Sequence, residues 1–386
     1  MRIGIDVRCL TEGRRTGVEE YTEKLLRELF SLDQENEYVL FLNSWHETAG
    51  DFAWLEAFPR VTLCRFRYPN KLLNLCLWYL GRPYLDRLLG GVDVFFVPNQ
   101  NFVRVSPGVP LVVTAHDLSF ELFPETFSWK QRLWHFLVNF RGLARRAARI
   151  IAVSQSTAGD LQEYYGVPEE KITVVLSGKD ETCQPMDRNS LTLLDVQKRY
   201  RLPYRFILSF GTFEPRKNTL MLVEAFEELR RSGGEAAKYD LVLAGSPGWG
   251  SEGLYARIEA SPFRENIRVL GFVPDEDKAA LYNLASLFVY PSLYEGFGFP
   301  PLEAMASGVP VIASHASSIP EIVSDAALLV DPYQPNELLL ALQAVLTDRE
   351  LSERLKARGL ARAARFSWKR SAEETLRVLT EAGKGS

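Results

Sequence analysis

Cysteine and histidine are scarce in this 386-residue chain, with four of each. The cysteines, Cys9, Cys64, Cys76 and Cys183, form no C-x-x-C pair and have no histidine nearby in sequence. That excludes the common structural zinc patterns and leaves reduced thiols in a cytoplasm as the expectation. Long apolar runs are missing too. The longest cluster, Leu72 to Leu80, contains Asn74 and falls far short of the roughly 20 residues that span a bilayer. No block of one charge sign occurs: 45 basic against 49 acidic residues give a net charge of −4, which offers nothing to nucleic acid. The opening residues, Met1-Arg2-Ile3-Gly4-Ile5-Asp6, read as a strand and lack the charged lead, apolar core and cleavage site of a signal peptide. No G-x-G-x-x-G follows that strand, so the nicotinamide-dinucleotide fingerprint is absent. A soluble or peripheral cytoplasmic protein is expected.

What is present is a regular alternation of apolar runs and helical patterns. Strands are expected at Arg2–Asp6, Tyr38–Leu42, Val61–Phe66, Asp93–Val97, Leu111–Ala115, Ile150–Val153 and Ile172–Leu176. A second series follows at Phe206–Phe210, Leu241–Ala244, Ile267–Leu270, Leu287–Tyr290, Val309–Ala313 and Leu328–Val330. Helical periodicity lies between most of them, as in Val18–Phe30 and Phe127–Ala148. Alternation of this kind requires parallel strands joined by right-handed crossovers, hence an α/β chain with two doubly wound sheets in sequence. The polar, aperiodic stretch 177–189 is the expected linker, and only helices are expected after Val330. A terminal helical segment can fold back across that linker.

Four strand ends carry clusters suited to one oxygen-rich ligand. The first is Gly13-Arg14-Arg15-Thr16-Gly17, running into a helix. The second is His116-Asp117, directly after a strand, where the ring could donate to a phosphate or a sugar hydroxyl. His46, His135 and His315 have weaker positional claims. The third is Gly211-Thr212-Phe213-Glu214-Pro215-Arg216-Lys217-Asn218, with Asn218 placed as the cap of a helix. Two cations there oppose the helix dipole unless an anion sits between them, and a diphosphate fits that need. The fourth is the loop from Pro291 to Gly308, read as strand, glycine loop, helix and stop, with Glu295 before Gly296-Phe297-Gly298-Phe299 and Glu303 one turn into the helix. Glu303 also stands where a glutamate serves a helix start. Asp275-Glu276-Asp277 formally matches a metal-binding D-x-D but reads better as helix-start acids.

Together these marks resemble a retaining glycosyltransferase of the GT-B architecture in glycosyltransferase family 4, its mannosyltransferase-like group. The resemblance rests on the E-x7-E element Glu295 to Glu303, on Gly211-Thr212-x-Glu214-x-Arg216-Lys217-Asn218, on Ala115-His116-Asp117-Leu118, and on Gly308-Val309-Pro310-Val311-Ile312-Ala313-Ser314 with Pro320-Glu321. It implies two Rossmann-like domains facing across a cleft: 1–186, completed by a final helix at about 368–386, on the acceptor side, and 187–367 on the donor side. It implies a nucleotide-sugar donor, GDP- or UDP-linked with a tilt to GDP-mannose, and no metal or other cofactor. Arg216 and Lys217 would take the diphosphate, Glu303 the ribose, and Glu295 with the backbone of Gly296, Phe297, Gly298 and Phe299 the transferred sugar. Gly211 belongs to the same donor loop. Backbone at Gly271, Phe272 and Val273 would face the base, and His116 the sugar near the reacting centre. Front-side displacement is the implied mechanism, with Glu295 as nucleophile the lesser alternative.

One departure weakens the carry-over. Val18-Glu19 stands where family members often have a second glycine, which leaves Gly17 as the secure position of that loop. The acceptor is expected to be a glycan or a lipid-linked glycan. The basic, aromatic stretches Lys71 to Arg87 and Trp129 to Arg149 allow contact with an anionic membrane, or burial against the first sheet. A sugar phosphorylase and a non-catalytic nucleotide-sugar-binding protein share the same motifs and remain open at this stage.

Overall fold

The computed structural model describes residues 1–11, 17–45, 50 and 52–385. Residues 13–16 of the first glycine-rich loop and His46 lie outside the described residues. The first sheet consists of β1 (Arg2–Asp6), β2 (Glu37–Asn43), β3 (Val61–Phe66), β4 (Val94–Val97), β5 (Leu111–Ala115), β6 (Arg149–Ala152) and β7 (Ile172–Val174). Its order is β3-β2-β1-β4-β5-β6-β7, with every pair parallel. The second consists of β8 (Phe206–Phe210), β9 (Asp240–Ala244), β10 (Ile267–Gly271), β11 (Leu287–Tyr290), β12 (Val311–Ser314) and β13 (Leu328–Val330). Its order is β10-β9-β8-β11-β12-β13, again all parallel. These are two Rossmann-like, doubly wound units.

The central strands are buried along their whole length, β4 as Val-Phe-Phe-Val and β11 as Leu-Phe-Val-Tyr. Helices cover both faces of such a sheet, so its strands read as continuous apolar runs rather than alternating ones. In the second unit Ile207, Leu241, Leu243 and Val289 meet Leu222 and Phe226 of the Thr219–Ser232 helix in one buried cluster.

The chain divides into one unit of Met1–Leu118, Trp129–Gly178 and Ser367–Ser386, and another of Ser119–Ser128 and Lys179–Phe366. The crossing after Gly178 falls inside the expected linker but ahead of residue 186. The reason is Asn283, which accepts from the Met186 N–H at 2.8 Å and donates to the Gln184 carbonyl at 2.9 Å, tying the end of the linker to the second unit. The helix Trp368–Lys384 returns to the first unit and packs along the helix Gly17–Leu32. Gly178 permits this return: a Cβ there would lie 2.2 Å from the Trp368 nitrogen. Ser371 adds a hydrogen bond of 2.5 Å to the Leu176 carbonyl.

Two local expectations are corrected. The pattern 127–148 is two helices, Trp129–Val138 and Phe140–Arg146, broken at Asn139. Asn139 turns left-handed (φ 50°), and its side-chain oxygen accepts from the Gly142 N–H at 2.9 Å, capping the second helix. The strand expected from Val309 begins at Val311, because the Val309 N–H is turned back to the Ala304 carbonyl after Gly308 (φ 73°) and Pro310, which has no N–H, joins the ladder only through its carbonyl.

Candidate functional site

The second sheet reverses its winding between β8 and β11. Loops leaving neighbouring strand ends at such a point diverge, and this is where open α/β sheets bind ligands. The loop after β8 holds Gly211 to Asn218, and the loop after β11 holds Pro291 to Gly298. Gly211, at the end of β8, donates to the Ala244 carbonyl at 2.9 Å, and Gly245 donates to the Gly271 carbonyl at 2.8 Å, so three strand ends are stitched together. A Cβ on Gly245 (φ 146°) would stand 1.8 Å from the Gly211 oxygen, which only glycine allows. Beyond Gly271 the Phe272 ring is exposed, whereas Val273 is buried.

Arg216 and Lys217 end a 3-10 turn, Pro215–Lys217, ahead of the Thr219–Ser232 helix. Asn218 sits in the cap position but makes no side-chain cap. Its amide donates instead to the carbonyls of Pro291, at 3.2 Å, and Pro332, at 2.7 Å. The Leu293 N–H of the β11 loop donates to the Arg216 carbonyl at 2.8 Å, and Ser292 Oγ lies 3.0 Å from the same carbonyl. The two loops are therefore one rigid piece.

The anion that the two cations require is the Glu295 carboxylate. Arg216 donates through Nη1 to Glu295 Oε2 at 3.1 Å and to the Tyr294 carbonyl at 2.6 Å, and through Nη2 to Glu214 at 2.8 Å. Lys217 Nζ donates to Glu295 Oε1 at 2.6 Å and to the Tyr290 hydroxyl at 2.8 Å. The Ser292 and Tyr290 hydroxyls also donate to Oε1, at 2.7 and 2.8 Å. Burial pushes the Glu295 carboxyl up, but the charges of Lys217 and Arg216, with the Lys217 and Ser292 hydrogen bonds, outweigh it and hold the group down at about 2. Glu295 is thus a fully ionised, heavily engaged carboxylate.

Downstream, the Ser318 hydroxyl donates to the carbonyls of Glu295, at 2.9 Å, and Phe297, at 2.8 Å, while the Glu295 N–H donates to Ser317 at 2.7 Å. These bonds fix the course of Gly296 and Phe297. Gly298 (φ 112°) then starts the helix Phe299–Ala306, and the Phe297 and Phe299 rings lie 5.0 Å apart. Glu303 does not cap this helix. It is buried, and its carboxylate accepts from Lys278 Nζ at 2.7 Å and from the Tyr282 hydroxyl at 3.0 Å. Lys278 and Tyr282 stand one turn apart on a single face of the helix Asp275–Leu284. At that helix's start Asp277 is buried and accepts from Arg199 at 2.6 Å and from the Tyr200 hydroxyl at 2.7 Å, which gives it a structural role.

In the first unit, His116 follows β5, and its Nε2 lies 2.8 Å from the Pro98 carbonyl. A carbonyl only accepts, so Nε2 carries the proton. The ring is edge-on to Tyr21 at 4.7 Å, and the Thr157 hydroxyl donates to the His116 carbonyl at 3.2 Å. Burial lowers its pKa, against the opposing pull of the Pro98 bond and of Asp117. The imidazole is neutral near pH 7, with Nδ1 as its acceptor face. Gly17 opens the helix Gly17–Leu32. His315 is exposed after β12, and His135 pairs with Gln100 at 3.3 Å.

Comparison with known proteins adds sequence and structural relatives. The family described as "Glycosyltransferase Family 4" matches residues 15–182, and "Glycosyl transferases group 1" matches residues 195–362. O-antigen chain mannosyltransferase B of Escherichia coli is 31% identical over 379 residues, covering 94% of this chain and 95% of the relative. The serotype-specific mannosyltransferase WbdA of Escherichia coli is 33% identical over 265 residues, 68% of this chain but 32% of that longer protein. Among solved structures, HepE of Anabaena in complex with UDP and glucose superposes with a TM-score of 0.72 at 20% identity, covering 98% of this chain and 99% of its own.

Proposed function

The chain belongs to glycosyltransferase family 4, and from that premise we propose that it is a retaining hexosyltransferase that moves mannose from GDP-mannose to a glycan or lipid-linked acceptor. The Arg216–Lys217–Glu295 cluster at the winding reversal of the second sheet carries this reading. The assignment of mannose is supported by the relative that matches along nearly its whole length.

Arg216 and Lys217 bind the donor diphosphate and stabilise the departing nucleotide, a planar fork beside a point charge. These two side chains supply the positive charge, so no metal ion is required. Glu303, oriented by Lys278 and Tyr282, accepts from the ribose hydroxyls. Glu295 and the backbone from Gly296 to Phe299 hold the sugar, and Gly271 to Val273 face the base. In the first unit, His116 offers Nδ1 as an acceptor for a hydroxyl, and Gly17 opens a helix whose start suits an oxygen-rich ligand. A carboxylate held at about 2 and clasped by two cations is a weak nucleophile. Front-side displacement through an oxocarbenium-like transition state is therefore favoured over attack by Glu295, with the leaving diphosphate accepting the acceptor's proton.

Thermal unfolding against GDP, UDP, ADP and their sugar conjugates tests the donor site. Selective stabilisation by GDP and GDP-mannose is expected, insensitive to a chelator and abolished in Arg216→Ala/Lys217→Ala, whose transfer rate should fall by roughly 10³-fold. Stabilisation by UDP conjugates alone would replace the base and sugar, and no shift with any nucleotide would overturn the reading.

A further inference from the structure

The first unit carries an outward apolar surface that the donor chemistry does not use. The helix Asn70–Leu75 continues into a π-helical turn, Cys76–Leu80. Leu73 and Leu77 face inward, while Leu72, Leu75, Trp78, Tyr79 and Leu80 are exposed, Tyr79 at 76%. The helix Trp129–Val138 does the same: Val138 is buried, and Trp129, Leu133 and Phe136 are exposed, Phe136 at 78%. An ordinary surface helix presents polar residues on its outer face. Contiguous apolar exposure on this scale marks an interaction site.

Both helices are fastened to one short segment. Gln100 pairs with His135 at 3.3 Å, the Phe102 ring meets Trp134 edge-on at 6.4 Å, and Arg104 Nε donates to the Leu77 carbonyl at 3.1 Å. Five residues of chain reach at most ~18 Å, so the two helices are anchored close to one another in the first unit. The charge around them is one-sided. Residues 65–87 and 129–149 hold eleven Lys and Arg and a single acid, Asp86, a net of +10 in a chain whose total is −4. Asp86 is buried and accepts from the Ser106 N–H at 2.7 Å, whereas Arg67, Lys71, Arg82, Lys130 and Arg132 are exposed.

We propose that this face of the first unit docks on an anionic phospholipid surface. Tryptophan and tyrosine seat at headgroup level, leucine and phenylalanine enter the acyl boundary, and the surrounding cations meet lipid phosphates. A second copy of the chain is a poor occupant, because a two-fold contact would set the same positive surface against itself. No described helix is long and apolar enough to cross a membrane, so the contact is one of lying on the surface. The proposal is independent of the donor assignment.

Co-sedimentation of the full chain with vesicles tests it, using phosphatidylglycerol in phosphatidylcholine against phosphatidylcholine alone. Binding to the anionic vesicles is expected, with a blue shift of tryptophan emission, and about tenfold weaker partitioning at high salt or in Lys71→Glu/Lys130→Glu/Arg132→Glu. Tyr79→Ser/Leu80→Ser should also weaken binding, while its thermal unfolding midpoint stays that of the unaltered chain and shows it folded. Equal partitioning to both vesicle types, or charge-reversed and serine variants that bind like the parent, would overturn the proposal. A dimer in solution that the serine variant abolishes, without vesicle binding, would reassign the face to contact between copies.

Discussion

The two sheets are wound alike, each reversing direction beside its first strand, and both reversals hold buried charge, a single Arg8–Asp6 pair at the end of β1 against a network in the second unit. In the second unit two cations, two carboxylates and two hydroxyls interlock through hydrogen bonds of 2.6 to 3.1 Å, and charge is what organises the loops. In the first unit the residue after β5, one strand beyond the reversal, is an imidazole kept neutral by burial and tied to a backbone carbonyl. One topology thus carries an interlocked charge network in one unit, and a lone ion pair with a neutral imidazole one strand further on in the other. The difference lies in side chains that the sheet merely delivers.

The sharpest way to break the comparison is Glu295→Gln. Removing the anion leaves Lys217 without its carboxylate and Arg216 with Glu214 alone, so a loss of about 3 kcal/mol in stability is expected by chemical denaturation. Nucleoside diphosphate should then stabilise the variant more than the parent, because it supplies the missing charge. An equal or smaller shift would mean that the cations do not face the diphosphate.

Acid titration separates the two units more gently. The carboxyl of Glu295 is lowered from 4.5 to about 2, so the stability it contributes is complete above pH 4.5 and disappears as the pH falls toward 2. His116 is lowered from 6.5 and is neutral in the fold, so protonation of the unfolded chain erodes stability as the pH falls below 6.5. In His116→Gln the loss of stability between about pH 6.5 and 5 should shrink to the share that His135, held down at about 4 by burial, contributes, while the loss below 4.5 persists. A profile identical to that of the parent would remove His116 from the account. The smallest effect is expected from Lys278→Met, which frees Glu303 to reorient: KM for the donor should rise several-fold with kcat nearly unchanged, and a fall in kcat alone would contradict a ribose role.

Much of this was legible in the residues. Strands buried on both faces announce themselves as apolar runs, which is why β1, β5, β8 and β11 lie where the sequence places them. Their ends were less legible where one residue decides them, as with Pro310 ahead of β12 or Asn139 within a helical pattern. Arg216 and Lys217 stood out because they broke the helix-dipole rule, but the anion beside them was far away in sequence and could not be named as Glu295. Tyr290, Ser292, Ser318 and Lys278 escaped notice for the same reason. A hydroxyl at a strand end or a lysine within a helix is unremarkable until the fold shows what it faces. Lys278 and Tyr282, four residues apart, offered the one periodic hint.

The contact between Gly178 and Trp368 has a consequence for biogenesis. Because the helix Trp368–Lys384 packs into the unit that the chain left at Gly178, the second unit is an insertion in the first. During synthesis the later-encoded unit can therefore finish folding while the earlier one, whose strands emerged from the ribosome first, still waits with an uncovered helix for its last segment to arrive.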